Sequence, residues 1–176
     1  VSATPLIRAA TAADLPAITA IYAEEVRGGT ATFELDAPDL AEMTARFDGL
    51  KRGGFPYLVA ELDGAIAGYA YAGPYRLRPA YRFTVEDSIY LAPQAQRRGV
   101  GSRLLASLIA ESEAGGFRQM IAVIGDSANA GSIGVHRRAG FVPTGTFHAV
   151  GFKFGRWLDS VLMQRPLGDA DRSAPA

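Results

Sequence analysis

The chain has no cysteine, two histidines, one tryptophan and no net charge. Without cysteine there are no disulfides and no thiolate metal sites. His136 and His148 alone are too few for an imidazole-built metal site, so no metal is expected. Eighteen basic residues balance eighteen acidic ones. That balance argues against nucleic acid or a membrane surface as partner and leaves room only for a local anion site. No apolar run reaches the roughly 18 residues that a membrane-spanning helix needs. The opening "VSATPLIRAA" lacks the basic-then-apolar layout of a secretion signal, so the cytoplasm is the expected location.

What remains is an ordinary globular composition, 48% hydrophobic and 20% charged over 176 residues. That length suits one domain with a substantial core. The domain is expected over 1–167. The small, polar "GDADRSAPA" at 168–176 is expected to be a disordered tail.

Periodicity places the elements. "LIRAAT" reads as a strand, and Thr11 with Asp14 resembles a capping box opening a helix over 12–26. Leu15, Ile18, Ile21, Tyr22 and Val26 form its apolar stripe. A second helix, 38–51, carries Leu40, Met43, Phe47 and Leu50 on one face. Two strands follow, joined at Asp63-Gly64, a strong hairpin signal. "FTVEDSIYL" is the next strand, then a helix over 98–114 stopped by Gly115-Gly116. A buried strand at 118–124, a helix over 127–140 and two strands around Gly155 complete the chain. This order argues for an α/β (α+β) fold, a mixed central β-sheet with helices on both faces.

The segment 96-QRRGVGS-102 lies between a strand and a helix start. Helix N-termini present unpaired N–H groups and a positive dipole end to anions. Glycines let a phosphate approach the backbone, and arginines add charge-assisted hydrogen bonds. The glycine pair by itself fits a tight strand-to-helix turn equally well. There is no G-K-[ST] for a Walker A loop, and Leu104 stands where a dinucleotide fingerprint needs its third glycine.

Gln96-Arg97-Arg98-Gly99-Val100-Gly101 matches the acetyl-CoA motif Q/R-x-x-G-x-G/A of the GNAT N-acetyltransferases, which the chain resembles over roughly 6–167. "GYAYAGPYRLRPAYRFTVEDSIYL", "SIGVHRRAGF", "VGFKFGRWLDSVLMQ" and "TATFE" resemble stretches of the phosphinothricin and methionine sulfoximine branch. The resemblance implies the GNAT fold and acetyl-CoA as co-substrate. It implies that Ile89, Tyr90 and Leu91 meet the pantetheine arm, and that Arg97, Arg98, Gly99, Val100, Gly101 and Ser102 hold the pyrophosphate. Asn129 matches the asparagine that meets the cofactor arm, and as a residue type it also suits a helix cap.

Acetyl transfer to an amine needs the nitrogen uncharged, so a base is useful at neutral pH. Alternation along "TVEDSIYL" puts Glu86, Ser88 and Tyr90 on one strand face. Glu86 stands where the resembling branch has its general base. The other readings of Glu86 are an exposed strand charge and an internal salt bridge to Arg76 or Arg78. His136 matches a histidine in relatives and reads equally as a packing residue, so the acid that protonates the leaving thiolate is unassigned. Arg76 and Arg78 suit a carboxylate or an oxidised sulfur or phosphorus group. With Leu77, Phe33, Glu86, Asp87 and Ser88 they are the expected acceptor-side residues, again by resemblance.

The expected activity is therefore acetyl transfer to a small amino acid-like amine such as L-methionine sulfoximine, L-methionine sulfone or phosphinothricin, by a homodimer in which "FKFGRWLD" is structural or a subunit contact. The alternatives are a protein or peptide acceptor, and a non-catalytic acyl-CoA sensor.

Overall fold

The structure, a computed structural model, describes residues 4–175. Strand β1 (Leu6–Ala9) is followed by helices α1 (Leu15–Gly28) and α2 (Leu40–Arg52). Then come β2 (Tyr57–Leu62), β3 (Ala65–Pro74), β4 (Thr84–Leu91), α3 (Val100–Ala114), β5 (Gln119–Gly125), α4 (Ala130–Arg138), β6 (Val142–Lys153) and β7 (Arg156–Pro166). The seven strands form one sheet in the order β1-β2-β3-β4-β5-β7-β6. All neighbours are antiparallel except β4 and β5.

Local chemistry explains most of the boundaries. At the first helix, Asp14 accepts from the Thr11 backbone N–H at 2.8 Å, but residues 12–14 make a 3-10 turn and α1 begins at Leu15, with Pro16 in its first turn. Arg8 clamps Asp14 through two 2.8 Å bonds, and that guanidinium holds the nearly buried carboxyl at about 2. The expected stripe Leu15, Ile18, Ile21, Tyr22 and Val26 is buried. Each such side chain contributes about 1.5–3 kcal/mol. On α2, Met43 and Phe47 are buried, whereas Leu40, the first residue of the helix, is exposed. Asp63 and Gly64 both take positive φ, as the hairpin between β2 and β3 requires.

Two helices are shorter than their sequence patterns. Gly99 sits at φ +79°, outside helical space, so α3 starts at Val100 and not at Arg98. Asn129 caps α4 by accepting from Ser132 N–H at 3.1 Å, which moves its start from 127 to 130. After β7, Leu167 is fully buried and its N–H donates to the Arg118 carbonyl at 2.9 Å; residues 168–173 form turns and bends.

Faces of the sheet are sorted by the strand period. Tyr57, Tyr69, Tyr71 and Tyr90 lie on the side of α1 and α2, where Tyr22 meets Tyr90 edge-on at 4.9 Å and Tyr57 stacks on Tyr71 at 5.1 Å. Ala70, Ala72, Val85 and Asp87 lie on the opposite side, toward α3 and α4.

Candidate active site

The site begins with a break in the sheet. β4 and β5 pair in parallel only from Thr84↔Gln119 to Asp87↔Ala122. Beyond that, β4 continues to Leu91 against β3, while β5 turns its other edge to β7 as far as Gly125↔Ser160. Residues 88–91 thus have one edge paired and one edge without a strand. Backbone N–H and C=O groups there need partners.

A cleft of about 510 Å³ occupies this gap and runs to the start of α3. Of the residues expected to bind the cofactor, Ile89, Tyr90, Leu91, Arg97, Gly99, Gly101, Ser102 and Asn129 line it. The N–H groups of Val100, Gly101 and Ser102 stand in the first helical turn, where no carbonyl four residues back can accept them. Arg97 and Gly99 have φ of +56° and +79°, a curled backbone of the type in which successive amides face one anion. A Cβ on Gly99 would meet nothing within 4 Å; one on Gly101 would touch Leu91 at 3.4 Å. Gly99 is there for its backbone angle, whereas a side chain at 101 would meet Leu91 only at ordinary contact distance.

Two residues of the set behave differently from the rest. The Arg98 side chain turns away to Asp63, at 3.2 Å, and so is not aimed at the cleft. Val100 is buried and does not line the cleft.

Glu86 lies two residues before the free edge, with Ser88 and Tyr90 on its face of β4. Burial, then the adjacent Asp87 charge, pushes its carboxyl up to about 7, against a partial downward pull from Arg76. Neither Arg76 nor Arg78 forms a salt bridge among the described residues, so the salt-bridge reading of Glu86 has no geometric support, and Glu86 is only partly exposed. Arg76 lies over the Tyr75 ring at 5.2 Å, and Arg76, Leu77 and Arg78 are all exposed.

Asp87 borders a small recess with Ala31 and Ser88, but its side chain faces away from Glu86. The strand period turns it to the face opposite Glu86, where its Oδ2 meets His136 Nε2 at 2.9 Å. His136 Nδ1 lies 2.8 Å from the Ser132 carbonyl, which can only accept. Both ring nitrogens therefore face acceptors, the pattern of an imidazolium. Burial alone would lower the pKa of His136, but the Asp87 hydrogen bond and charge, helped by the Ser132 carbonyl, raise it. His136 also borders the cleft, yet it has no uncommitted N–H to present there.

Sequence reasoning missed the supports of the loop between α1 and α2. Tyr22 Oη donates to Glu34 at 2.9 Å, and Glu34 in turn binds Arg46 at 2.7 Å. Glu25 accepts from Ala31 N–H at 2.9 Å and borders the cleft. Phe33 crosses Gly151, where a Cβ would lie 2.4 Å from its ring. Only the two glycines in "AVIGD" and "AVGFK" hinted at such a close approach. Among the described residues, no cluster of three or more acidic, histidine or cysteine side chains could hold a metal.

A sheet opened between two parallel strands, with a glycine-marked helix start at the end of the gap, defines an α/β cleft built for an extended, anion-tipped ligand. The chain belongs to the GNAT acetyltransferase family: residues 7–162 match the acetyltransferase (GNAT) domain. It is 59% identical over 162 residues to a phosphinothricin N-acetyltransferase of Alcaligenes faecalis, covering 92% of this chain and 82% of that one. To an L-methionine sulfoximine/L-methionine sulfone acetyltransferase of Pseudomonas paraeruginosa it is 46% identical over 170 residues, 96% and 98% of the two chains. The crystal structure of a GNAT superfamily phosphinothricin acetyltransferase from Sinorhizobium meliloti, in complex with AcCoA, superposes with a TM-score of 0.96. That match has 51% identity and covers 99% of this chain and 94% of the other.

Proposed function

We propose that this N-acetyltransferase moves the acetyl group of acetyl-CoA to the amino group of a small amino acid-like acceptor, with phosphinothricin, L-methionine sulfoximine and L-methionine sulfone as the acceptor class and Glu86 as general base. The observation that carries the reading is a half-buried carboxyl poised at about 7 beside the unpaired end of β4. A base in that range is both ionised enough and basic enough to take a proton from an ammonium group near neutral pH.

The cleft fits acetyl-CoA, which supplies the acetyl group as a thioester. The free edge at 88–91 offers strand-type hydrogen bonds to an extended amide chain, and the amides of Val100, Gly101 and Ser102 offer a seat for a diphosphate. Arg97 adds charge at the same end. Glu86 takes the proton from the acceptor amine, directly or through one water. Arg76 and Arg78 stand on the acceptor side without acidic partners, free to receive a carboxylate and an oxidised sulfur or phosphorus group. Phe33 and Ser88 complete that side. The reaction is assigned to the cytoplasm, in keeping with a chain that has no cysteine.

The active form is read as a homodimer. Phe147, Val150, Phe152, Phe154 and Trp157, all on or beside β6 and the start of β7, are each more than half exposed. An apolar cluster of that kind suits a subunit contact. A peptide acceptor is the second reading, favoured by the open setting of Arg76, Leu77 and Arg78.

The deciding experiment is acetyl-CoA-dependent thiol release with the three analogues, ordinary amino acids and a lysine peptide side by side. The protein has no cysteine, so thiol above the blank comes from CoA alone. Turnover of an analogue, lost in Glu86→Gln, supports the reading. Turnover of the peptide alone would move the acceptor to the second, and none at all despite acetyl-CoA binding would leave a sensor. Light scattering of the wild type against a Phe152→Ser/Trp157→Ser variant tests the dimer.

A further inference from the structure

The "FKFGRWLD" segment takes no part in the cleft, yet two of its cations reach the loops that border it. Lys153 ends β6 and is 3% exposed. Its ammonium donates to the Gly29 carbonyl at 2.8 Å and to the Thr32 carbonyl at 2.9 Å, and it lies 5.0 Å from the centre of the Phe154 ring. Among the described residues it has no carboxylate in salt-bridge range. A buried ammonium is costly unless hydrogen bonds replace its water, so two loop carbonyls are held where Lys153 needs them. After the turn at Phe154 and Gly155, Arg156 donates to Asp126 at 2.6 Å. Asp126 also accepts from Ala128 N–H at 3.0 Å and from Thr30 Oγ1 at 3.3 Å.

The two held segments differ in what they carry. The 29–33 loop brings Ala31 to a small recess shared with Ser88, Ile89 and Tyr90, and ends on Phe33, over Gly151. The 126–129 segment ends on Asn129 in the cleft wall. We infer that Lys153 is a positioning residue for the acceptor side of the transfer site, fixing the 29–33 loop through two of its carbonyls, while Arg156 and Asp126 hold the Asn129 segment and touch that loop through the Thr30 hydroxyl. This rests on the acetyltransferase reading above.

The test uses the full chain with Lys153→Met, Lys153→Gln and Lys153→Arg. Kinetics with L-phosphinothricin give KM and kcat, calorimetry gives the acetyl-CoA Kd, and hydrogen exchange follows peptides over 29–35 and 118–125. The expected result for Met and Gln is an acceptor KM raised by about tenfold or more, because a displaced positioning loop is felt strongly in the reacting geometry. The acetyl-CoA Kd should stay within about twofold, exchange should rise only over 29–35, and Arg should recover part of the loss. Equal changes in acceptor KM and acetyl-CoA Kd would overturn the inference, as would unaltered exchange over 29–35 or failure of all three variants to fold. Should wild type turn over none of the amines, the acetyltransferase reading fails first; exchange over 29–35 still decides whether Lys153 holds the loop.

Discussion

Replacing Glu86 by Gln separates two properties that the same burial creates. Lifting the carboxyl from 4.5 to about 7 corresponds to about 3 kcal/mol at 1.36 kcal/mol per unit. Glu86 is only partly buried, so solvent screening reduces the figure to about 1–2 kcal/mol. Because the folded value is raised, the acid form's stability is fully present below pH 4.5 and is lost as pH rises through about 7. Gln cannot ionise and avoids that loss. The variant should therefore match wild type near pH 4.5 and exceed it by about 1–2 kcal/mol at pH 8, read from urea midpoints at the two pH values. Activity should move the other way, with kcat/KM for L-phosphinothricin falling by about 10²–10⁴, the usual worth of a general base. In wild type the pH–rate profile should rise through an inflection near 7 that the variant lacks. An equal stability difference at both pH values would refute the raised pKa. A fall in kcat/KM of less than about tenfold would remove Glu86 as the base.

Three further outcomes follow from the geometry. His136→Asn strands the buried Asp87 carboxylate and should cost about 3 kcal/mol. The raised His136 pKa makes that cost fully present below pH 6.5 and smaller as pH climbs through the folded value, so the wild-type denaturant midpoint should fall toward that of the variant between pH 6 and pH 9. Gly125→Ala would put a Cβ 2.2 Å from the Thr30 carbonyl, a backbone atom, and should cost about 2–3 kcal/mol; Gly151→Ala meets only the movable Phe33 ring and should cost about 1 kcal/mol, both by thermal unfolding. Gly99→Ala enters open space at φ +79° and should lose about 1–2 kcal/mol from backbone strain, with acetyl-CoA binding weakened in calorimetry.

The sequence was most legible where one residue decides a local geometry. Asp63-Gly64 marks a hairpin because few residues accept positive φ, and the stripe from Leu15 to Val26 has one way to bury itself. Alternation along β4 placed Glu86, Ser88 and Tyr90 together and also implied that Asp87 points elsewhere, although grouping it with its neighbours obscured this. The Arg98–Asp63 pair spans 35 positions and Lys153–Gly29 spans 124, distances at which no periodicity connects partners. The same holds for His136 and Asp87, 49 positions apart. A buried cation looks like any surface lysine until the chain is folded around it.

Sheet edges are liabilities, because bare N–H and C=O rows recruit strands from other chains. Here such a row also lies in the middle of the sheet, where β4 leaves β5, in addition to those of the rim strands β1 and β6. The cleft along this row is lined from the start of α3 to α4 and by Glu25 of α1, and the small recess beside it is bordered by Ala31. In the proposed reading, acetyl-CoA bound there serves as a temporary strand, an internal form of β-augmentation. Two strands that drift apart after four paired residues thus leave, inside the sheet, the kind of bare row otherwise found only at a sheet's rim.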